Sequence, residues 1–155
     1  MKRYMQVILL TLGVLSFGAL AKTKAPAVEP NAGARILFEQ YASLEKAYDP
    51  AVADLYSDQA LIKNRRTYPD GNVRTLELPA TKYKGLIRAS MPAAKAAGDY
   101  STYSNVRFAP EGDSVRVSAT RYSVRKKYSS QMSLLVARDN GGPWLIIEEL
   151  GESQP

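Results

Sequence analysis

The stretch Ala51–Arg66, AVADLYSDQALIKNRR, predicts a short helix that leads into a strand with almost no loop between them. Asp49 and Pro50 stand just before it; an Asp side chain can cap free backbone amides, and Pro suits the first turn of a helix. One face of this helix carries the apolar residues Val52, Leu55 and Tyr56. Ala60–Thr67 is predicted to be the strand, and the other elements are expected to cover the sheet that starts there.

The N-terminal segment has the pattern of a secretory signal peptide. Lys2 and Arg3 supply the charged start, and the apolar run Val7–Leu20 is shorter than a normal membrane span. Ala19-Leu20-Ala21 matches a small-residue cleavage site, so residues 1–21 are predicted to be removed after Ala21. We therefore expect a periplasmic or secreted protein with no stable membrane span after cleavage; an uncleaved anchor is the alternative.

Composition limits the chemistry that the chain can perform. It contains neither His nor Cys, which excludes Ser-His-Asp and Cys-His catalysis and His-based zinc sites. It also lacks a Gly-rich nucleotide-binding loop, so no cofactor and no metal is predicted. The formal net charge falls from +6 to +4 when Lys2 and Arg3 are removed, which is too mild to indicate a nucleic-acid partner.

Apolar spacings of three and four residues predict two longer helices. The first, Arg35–Tyr48, follows a Pro- and Ala-rich segment, Lys22–Ala34, that is expected to be a flexible leader. The second, Lys82–Ala97, follows a predicted returning strand at Val73–Leu78. It contains Pro92, which is expected to kink or break the helix near Ser90. The stripe on the first helix consists of Leu37, Tyr41, Leu44 and Tyr48.

From Asp99 onward the apolar spacing changes to two, which predicts four strands joined by turns. Their predicted ranges are Tyr100–Ala109, Ser114–Lys126, Gln131–Arg138 and Trp144–Leu150. This order indicates the α+β class: a cone-shaped, curved antiparallel sheet with three helices packed on its concave face. Such a sheet encloses a pocket in which a small-molecule ligand would bind.

The order of elements and three local patterns resemble the nuclear transport factor 2-like superfamily, which includes ketosteroid isomerases, scytalone dehydratase and SnoaL-like polyketide cyclases. The patterns are the helix-to-strand junction Asp54–Ile62, the helical segment Tyr83–Ile87 and the closing hairpin Asn140–Glu149. The resemblance extends from Ala34 to Glu152, so residues 35–152 are expected to form a single domain of this kind. It implies the fold and not an activity, because the superfamily hosts enzymes, binders and interaction modules.

The resemblance carries over little of the isomerase machinery. Tyr41 falls where ketosteroid isomerases have a Tyr that donates to the developing oxyanion, although it is equally a core residue. Asn64 falls at the position of the general base, and an amide cannot usefully take up a proton. The acid that completes the oxyanion hole would fall near Leu134 or Leu135, where the chain has none. These departures argue against the known chemistries of the superfamily.

Four residues are predicted to face the pocket: Tyr41, Asn64, Arg121 and Glu148. Asn64 shares a strand face with Ile62, and Arg121 continues an inward strand face, where a cation needs a partner or water. Glu148, two residues after Ile146, is the predicted partner of Arg121. Such an Arg–carboxylate pair would orient an acidic or carbonyl ligand. The alternatives are a polar strand edge for Asn64 and a structural ion pair or a solvated strand end for Arg121.

Two surface features complete the predicted sites. The basic stretch Arg121–Tyr128 is interleaved with aromatic residues, which suits an acidic polymer, although a solvated hairpin tip is the favoured interpretation. The outer sheet face mixes polar and apolar residues, and members of the superfamily that the chain resembles commonly form homodimers through this face. A homodimer is therefore predicted, with Thr120, Tyr122, Ser133 and Leu135 in its interface.

The sequence favours an exported, non-catalytic domain that binds a small ligand in its cone or pairs with a protein. One alternative is an enzyme of isomerase, cyclase or dehydratase type that acts on a small carbonyl or polycyclic substrate through Tyr41, Arg121 and Glu148. A second alternative is a binder of acidic cell-surface polymer that uses Arg121–Tyr128.

Overall fold

The computed structural model describes residues 31–154. The predicted signal peptide at residues 1–21 and most of the predicted leader lie outside this range. The described elements are α1 (Ala32–Ala47), a 3-10 helix (Pro50–Leu55), β1 (Tyr56–Thr67), β2 (Val73–Pro79), α2 (Ala80–Ala97), β3 (Ser101–Glu111), β4 (Ser114–Ser123), β5 (Tyr128–Arg138) and β6 (Trp144–Ser153).

The six strands form a single curved sheet in the order β2-β1-β6-β5-β4-β3. The last four strands form the predicted antiparallel meander. The sheet is not antiparallel throughout, as was predicted, because β1 and β6 run parallel to each other. The helices cover one face: α1 packs against β3, β4 and β6, and α2 packs against β1, β2 and the 3-10 helix. The predicted α+β class, with helices on one face of a curved sheet, is confirmed.

The 3-10 helix leads into β1 without a loop, as predicted, but β1 begins at Tyr56, four residues before the predicted start at Ala60. The Asp49 carboxylate accepts a hydrogen bond of 2.9 Å from the backbone amide of Ala51, which caps the helix. The backbone is already extended at Tyr56, so β1 begins directly after the helix ends. Tyr56 is only 2% exposed, which anchors the junction in the core.

Both long helices depart from their predicted limits. Helix α1 begins three residues early, at Ala32, because Gly33 lies against the Trp144 indole and Ala34 is fully buried. Helix α2 runs as one element through Pro92 to Ala97, so of the kink or break expected near Ser90 the break is absent. Pro92 lies on an exposed side of the helix, where water can bond the carbonyl group that loses its amide donor.

A β-bulge in β6 decides which side chains enter the cone. Val136 pairs with Ile146 and Leu135 pairs with Glu148, so one residue of β6, Ile147, has no counterpart in β5. An extra residue exchanges the two faces of the strand that follows it. After the bulge the odd-numbered residues, beginning with Glu149, therefore face the helices, and Glu148 faces outward.

The core lies between this helix-facing side of the sheet and the helices. Its largest fully buried side chains are Tyr56, Val117, Leu134, Val136 and Ile146. None of the helices within residues 31–154 combines the length and the hydropathy that crossing a bilayer would take.

Gly33→Ala should destabilise the fold. A Cβ atom at this position would overlap the Trp144 indole, so the packing of α1 on β6 would have to shift. Overpacking of this kind costs about 1–3 kcal/mol, which chemical unfolding in urea would detect.

Gly85→Ala is the matched control, because a Cβ atom at this helical glycine would meet nothing within 4 Å. Alanine is the better helix former, so this variant should gain about 0.5–1 kcal/mol. Equal effects of the two substitutions would contradict the packing described for Gly33.

Candidate functional site

A cavity of about 120 Å³ lies inside the cone, between the helices and the sheet. Its wall combines apolar side chains from the helices with hydroxyl, carboxylate and guanidinium groups. The lining residues are Tyr41, Glu45, Val52, Tyr56, Tyr83, Ile87, Met91 and Arg121. They come from α1, the 3-10 helix, β1, α2 and β4, so the cavity exists only in the folded domain.

A buried carboxyl group stands behind this cavity. Glu149 is 6% exposed and accepts hydrogen bonds from the hydroxyl of Tyr56 and, at 3.0 Å, from the hydroxyl of Tyr83. Burial raises the pKa of Glu149, although both tyrosine hydrogen bonds and the nearby Arg121 act to lower it. The pKa values of Tyr56 and Tyr83 are also raised, first by burial and then by the charge of Glu149.

A second carboxylate lies on α1. Glu45 follows Tyr41 by four residues and therefore projects from the same face of the helix. It lines the cavity and accepts a hydrogen bond from the hydroxyl of Tyr103 on β3. Burial raises the pKa of Tyr103, and the charge of Glu45 raises it further. Glu45 is thus the carboxylate that faces the cavity, whereas Glu149 is separated from it by two tyrosines.

Arg121 is the cation of the cavity. Its Nη2 atom donates a 3.1 Å hydrogen bond to the backbone carbonyl of Glu152, and its side chain lines the cavity wall. Burial acts to lower the pKa of Arg121, but the surrounding tyrosines and carboxylates reverse this effect and raise it. Arg121 therefore keeps its charge and is balanced by Glu149 and Glu45 without a direct ion pair.

The structure brings two of the four predicted pocket residues into the cavity wall and places the other two elsewhere. Tyr41 and Arg121 line the cavity, and Tyr41 is 6% exposed. The predicted pairing of Arg121 with Glu148 is wrong, because Glu148 forms an ion pair with Arg116 on the outer face of the sheet. The cause is the bulge at Ile147, which exchanges the faces of β6 after Ile146.

Asn64 lies on the helix-facing side of β1, as its spacing from Ile62 predicts, but it is not part of the cavity wall. Its Oδ1 atom accepts a 2.6 Å hydrogen bond from the Ser153 hydroxyl at the open end of the cone. Its Nδ2 atom stands over Gly151, where a Cβ atom would come within 3.2 Å. Asn64 therefore joins β1 to β6 and does not project toward a ligand in the cavity.

The sequence interpretation missed Glu45, Glu149 and Tyr103 as members of the site. A signal for Glu45 was available, since it stands four residues after Tyr41 on a predicted helix. Glu149 was hidden by the bulge, and it pairs across strands with Leu134, close to the place where the resembling isomerases carry an acid. Tyr103 pairs with Arg121, but a bulge in β3 after Ser104 weakens the alternation there.

The two predicted surface features have different outcomes. The basic stretch forms the end of β4, a turn and the start of β5, and it does not make one surface, because Arg121 enters the cone while Arg125 lies 3.7 Å from Asp99. The proposed dimer residues do share the outer sheet face. Dimerisation through them stays a prediction.

Glu149→Gln should change how stability depends on pH. Because the pKa of Glu149 is raised in the folded chain, its contribution to stability is full below the unfolded pKa, about 4.3, and is lost as the pH rises through the raised value. The variant has no proton to lose, so its unfolding free energy should improve relative to the wild type as the pH increases. Urea unfolding at a series of pH values measures the difference.

The matched variant for this test is Glu148→Gln, which removes the same charge from the adjacent, outward-facing position. A pH-dependent improvement of the same size in both variants would contradict the role of burial at Glu149.

Comparisons with known proteins identify the fold. No family model matches the chain, and no curated protein matches it. Among solved structures it is similar to a nuclear transport factor 2-like protein of unknown function from Pseudomonas putida KT2440, with 13% identity over 77% of this chain and 83% of that one and a TM-score of 0.61.

Two structures from Shewanella are also similar. The first is a nuclear transport factor 2-like protein of unknown function from Shewanella oneidensis MR-1, with 12% identity over 80% of this chain and 99% of that one and a TM-score of 0.60. The second, from Shewanella frigidimarina NCIMB 400, is provisionally assigned as a ketosteroid isomerase; it is 17% identical over 79% of this chain and 97% of that one, with a TM-score of 0.55. At these identities the likeness establishes the fold: the chain has the nuclear transport factor 2-like fold.

Proposed function

We propose that this domain is the folded part of an exported protein and binds, without catalysis, a small organic ligand that carries a carbonyl or carboxylate group. The observation that supports this most directly is the cavity inside the cone, where Tyr41 and Arg121 line the same small space. A hydroxyl and a guanidinium are both donors, and together they suit an oxygen acceptor.

The shape of the cavity limits the ligand. Its lining also includes three apolar side chains, Val52, Ile87 and Met91, which suit a hydrocarbon body. At about 120 Å³ it is smaller than the 300–1,000 Å³ typical of ligand sites, so it suits a single ring or a short chain rather than a polycyclic molecule.

The non-catalytic part of the proposal rests on how the acids are used. The position of the isomerase base is Asn64, whose carbonyl oxygen already accepts from Ser153. Both oxygens of Glu149 accept from tyrosines, and those tyrosines separate it from the cavity. A general base needs a free path to the proton that it abstracts, and Glu149 has none.

A second candidate function is proton-transfer catalysis of the isomerase, cyclase or dehydratase type. One observation favours it: the Glu45 carboxylate lines the same cavity as Tyr41 and Arg121. Glu45 would act as the base while the other two polarise a carbonyl group. Turnover of a small ketone that is lost in Glu45→Gln, with binding retained, would favour this function over the non-catalytic one.

Benzoate should bind in the cavity, with its ring against the apolar side chains of the lining and its carboxylate near Arg121. The expected signature is saturable change in the amide NMR signals of residues that line the cavity. Arg121→Met should weaken binding by about tenfold or more, because it removes a charge-assisted hydrogen bond.

Arg125→Met provides the control, since it removes the same charge from the exposed turn of the same hairpin. If Arg121→Met and Arg125→Met bound benzoate equally well, the cavity would not be the site.

The exported part of the proposal rests on the sequence of residues 1–21. When the protein is produced with its native N-terminus in a bacterial host, the recovered form should begin at Lys22, because the small residues before it fit signal peptidase. Intact-mass measurement of periplasmic and cytoplasmic fractions tests this. Recovery of only the full-length mass would argue against export by cleavage.

A further inference from the structure

Two buried polar atoms at the open end of the cone have no hydrogen-bond partner among residues 31–154. They are the hydroxyl oxygen of Ser130 and the Nε atom of Arg66. Ser130 is only 8% exposed, so bulk water has little access to its hydroxyl group. Buried polar groups in folded proteins are nearly always bonded, and an exception calls for a partner such as an ordered water, an ion or a ligand.

The strand register brings these two residues into one row on the helix-facing side of the sheet. Arg121 pairs with Ser130, and Arg66 pairs with both Ser153 and Arg74. The β5–β6 register continues from Met132 and Gly151 to set Ser130 opposite Ser153. Neighbouring strands lie about 4.8 Å apart, so Ser130 and Arg66, which have β6 between them, stand about 10 Å apart along this row of five strands.

The charges along this row are unbalanced. Arg66 and Arg74 stand directly opposite each other, and like charges in that arrangement are destabilising. Their guanidinium groups each lie 5.5 Å from the centre of the Tyr68 ring, which offsets part of the repulsion. Within the described range, neither arginine forms an ion pair with a carboxylate.

We propose that this row is an oxyanion-binding site, with Arg66 and Arg74 as the cations and the Ser130 hydroxyl as a further donor. Guanidinium groups bind phosphate and carboxylate oxygens through paired N–H donors, and a serine hydroxyl rotates to complete the set. An anion held over Ser153, on the strand between them, would accept hydrogen bonds from the Ser130 hydroxyl and the Arg66 guanidinium and would screen the repulsion between the two arginines.

The site is separate from the cavity described above. Arg121 is the only member of the row that also lines the cavity, and its Nη2 atom is already bonded to the Glu152 carbonyl. The row also lies on the concave side of the sheet, which favours a small group such as a phosphate or a terminal carboxylate. The proposal therefore stands whether or not the cavity binds a ligand.

Titration of the purified protein with inorganic phosphate, at constant ionic strength set by chloride, tests this site. We expect saturable binding by calorimetry, weakened by about tenfold or more in Arg66→Met. Arg65→Met is the matched control, because Arg65 is the next residue of the same strand, is exposed and faces outward. It removes the same net charge and should bind phosphate as the wild type does.

Ser130→Ala adds a second, independent readout. It removes a buried hydroxyl that has no partner, so the phosphate-free protein should be as stable as the wild type or more stable. Its phosphate affinity should nevertheless fall. A parallel titration with acetate shows whether the site prefers a phosphate or a carboxylate; Arg66-dependent binding of either anion supports the proposal.

Three outcomes would overturn it: no saturable binding of either anion, equal weakening in Arg65→Met and Arg66→Met, or unchanged affinity in Ser130→Ala. The benzoate experiment depends on Arg121 and not on Arg66, so failure of one site is distinguishable from failure of the other.

Discussion

The hydrogen bonds from Tyr56 and Tyr83 to the Glu149 carboxyl group hold the cone together. They join the first strand, the second long helix and the last strand, which are far apart in the sequence. A carboxyl group placed in this interior without donors would cost on the order of several kcal/mol. With both oxygens satisfied, the same group favours one arrangement of helix on sheet over the many that apolar packing alone would allow.

The same hydrogen bonds explain why the interior contains charged side chains but no direct ion pair between Arg121 and the carboxyl groups. Two carboxyl groups and one guanidinium share the space, but each carboxyl group is held by tyrosine hydroxyls and Arg121 is held by a backbone carbonyl. The arginine therefore keeps hydrogen-bonding capacity that a direct ion pair would consume. The proposed ligand binding depends on this combination of an available cation and apolar side chains in one cavity.

Much of the fold followed from periodicity in the sequence, and the errors in the site have an identifiable cause. The helix-to-strand junction, the meander and the inward position of Arg121 all follow from spacings that the chain keeps without interruption. Alternation fails where a strand gains a residue, and no residue type at Ile147 announces the bulge. Strand pairing therefore determines that Glu149, and not Glu148, faces the helices, and the sequence alone does not reveal this pairing. The same limit applies to the row at the open end, whose members come from five strands.

The position of β6 has a consequence for how the chain acquires its structure. Of the six described strands this one is synthesised last, yet it lies inside the sheet, parallel to β1 and antiparallel to β5. Tyr56 and Glu149, which bond across that seam, are 93 positions apart. Until the C-terminal segment arrives, the β1–β2 hairpin and the β3–β5 meander are two unjoined pieces with exposed edges. Closure of such a distant contact is slow, so the sheet stays open during synthesis until β6 is available.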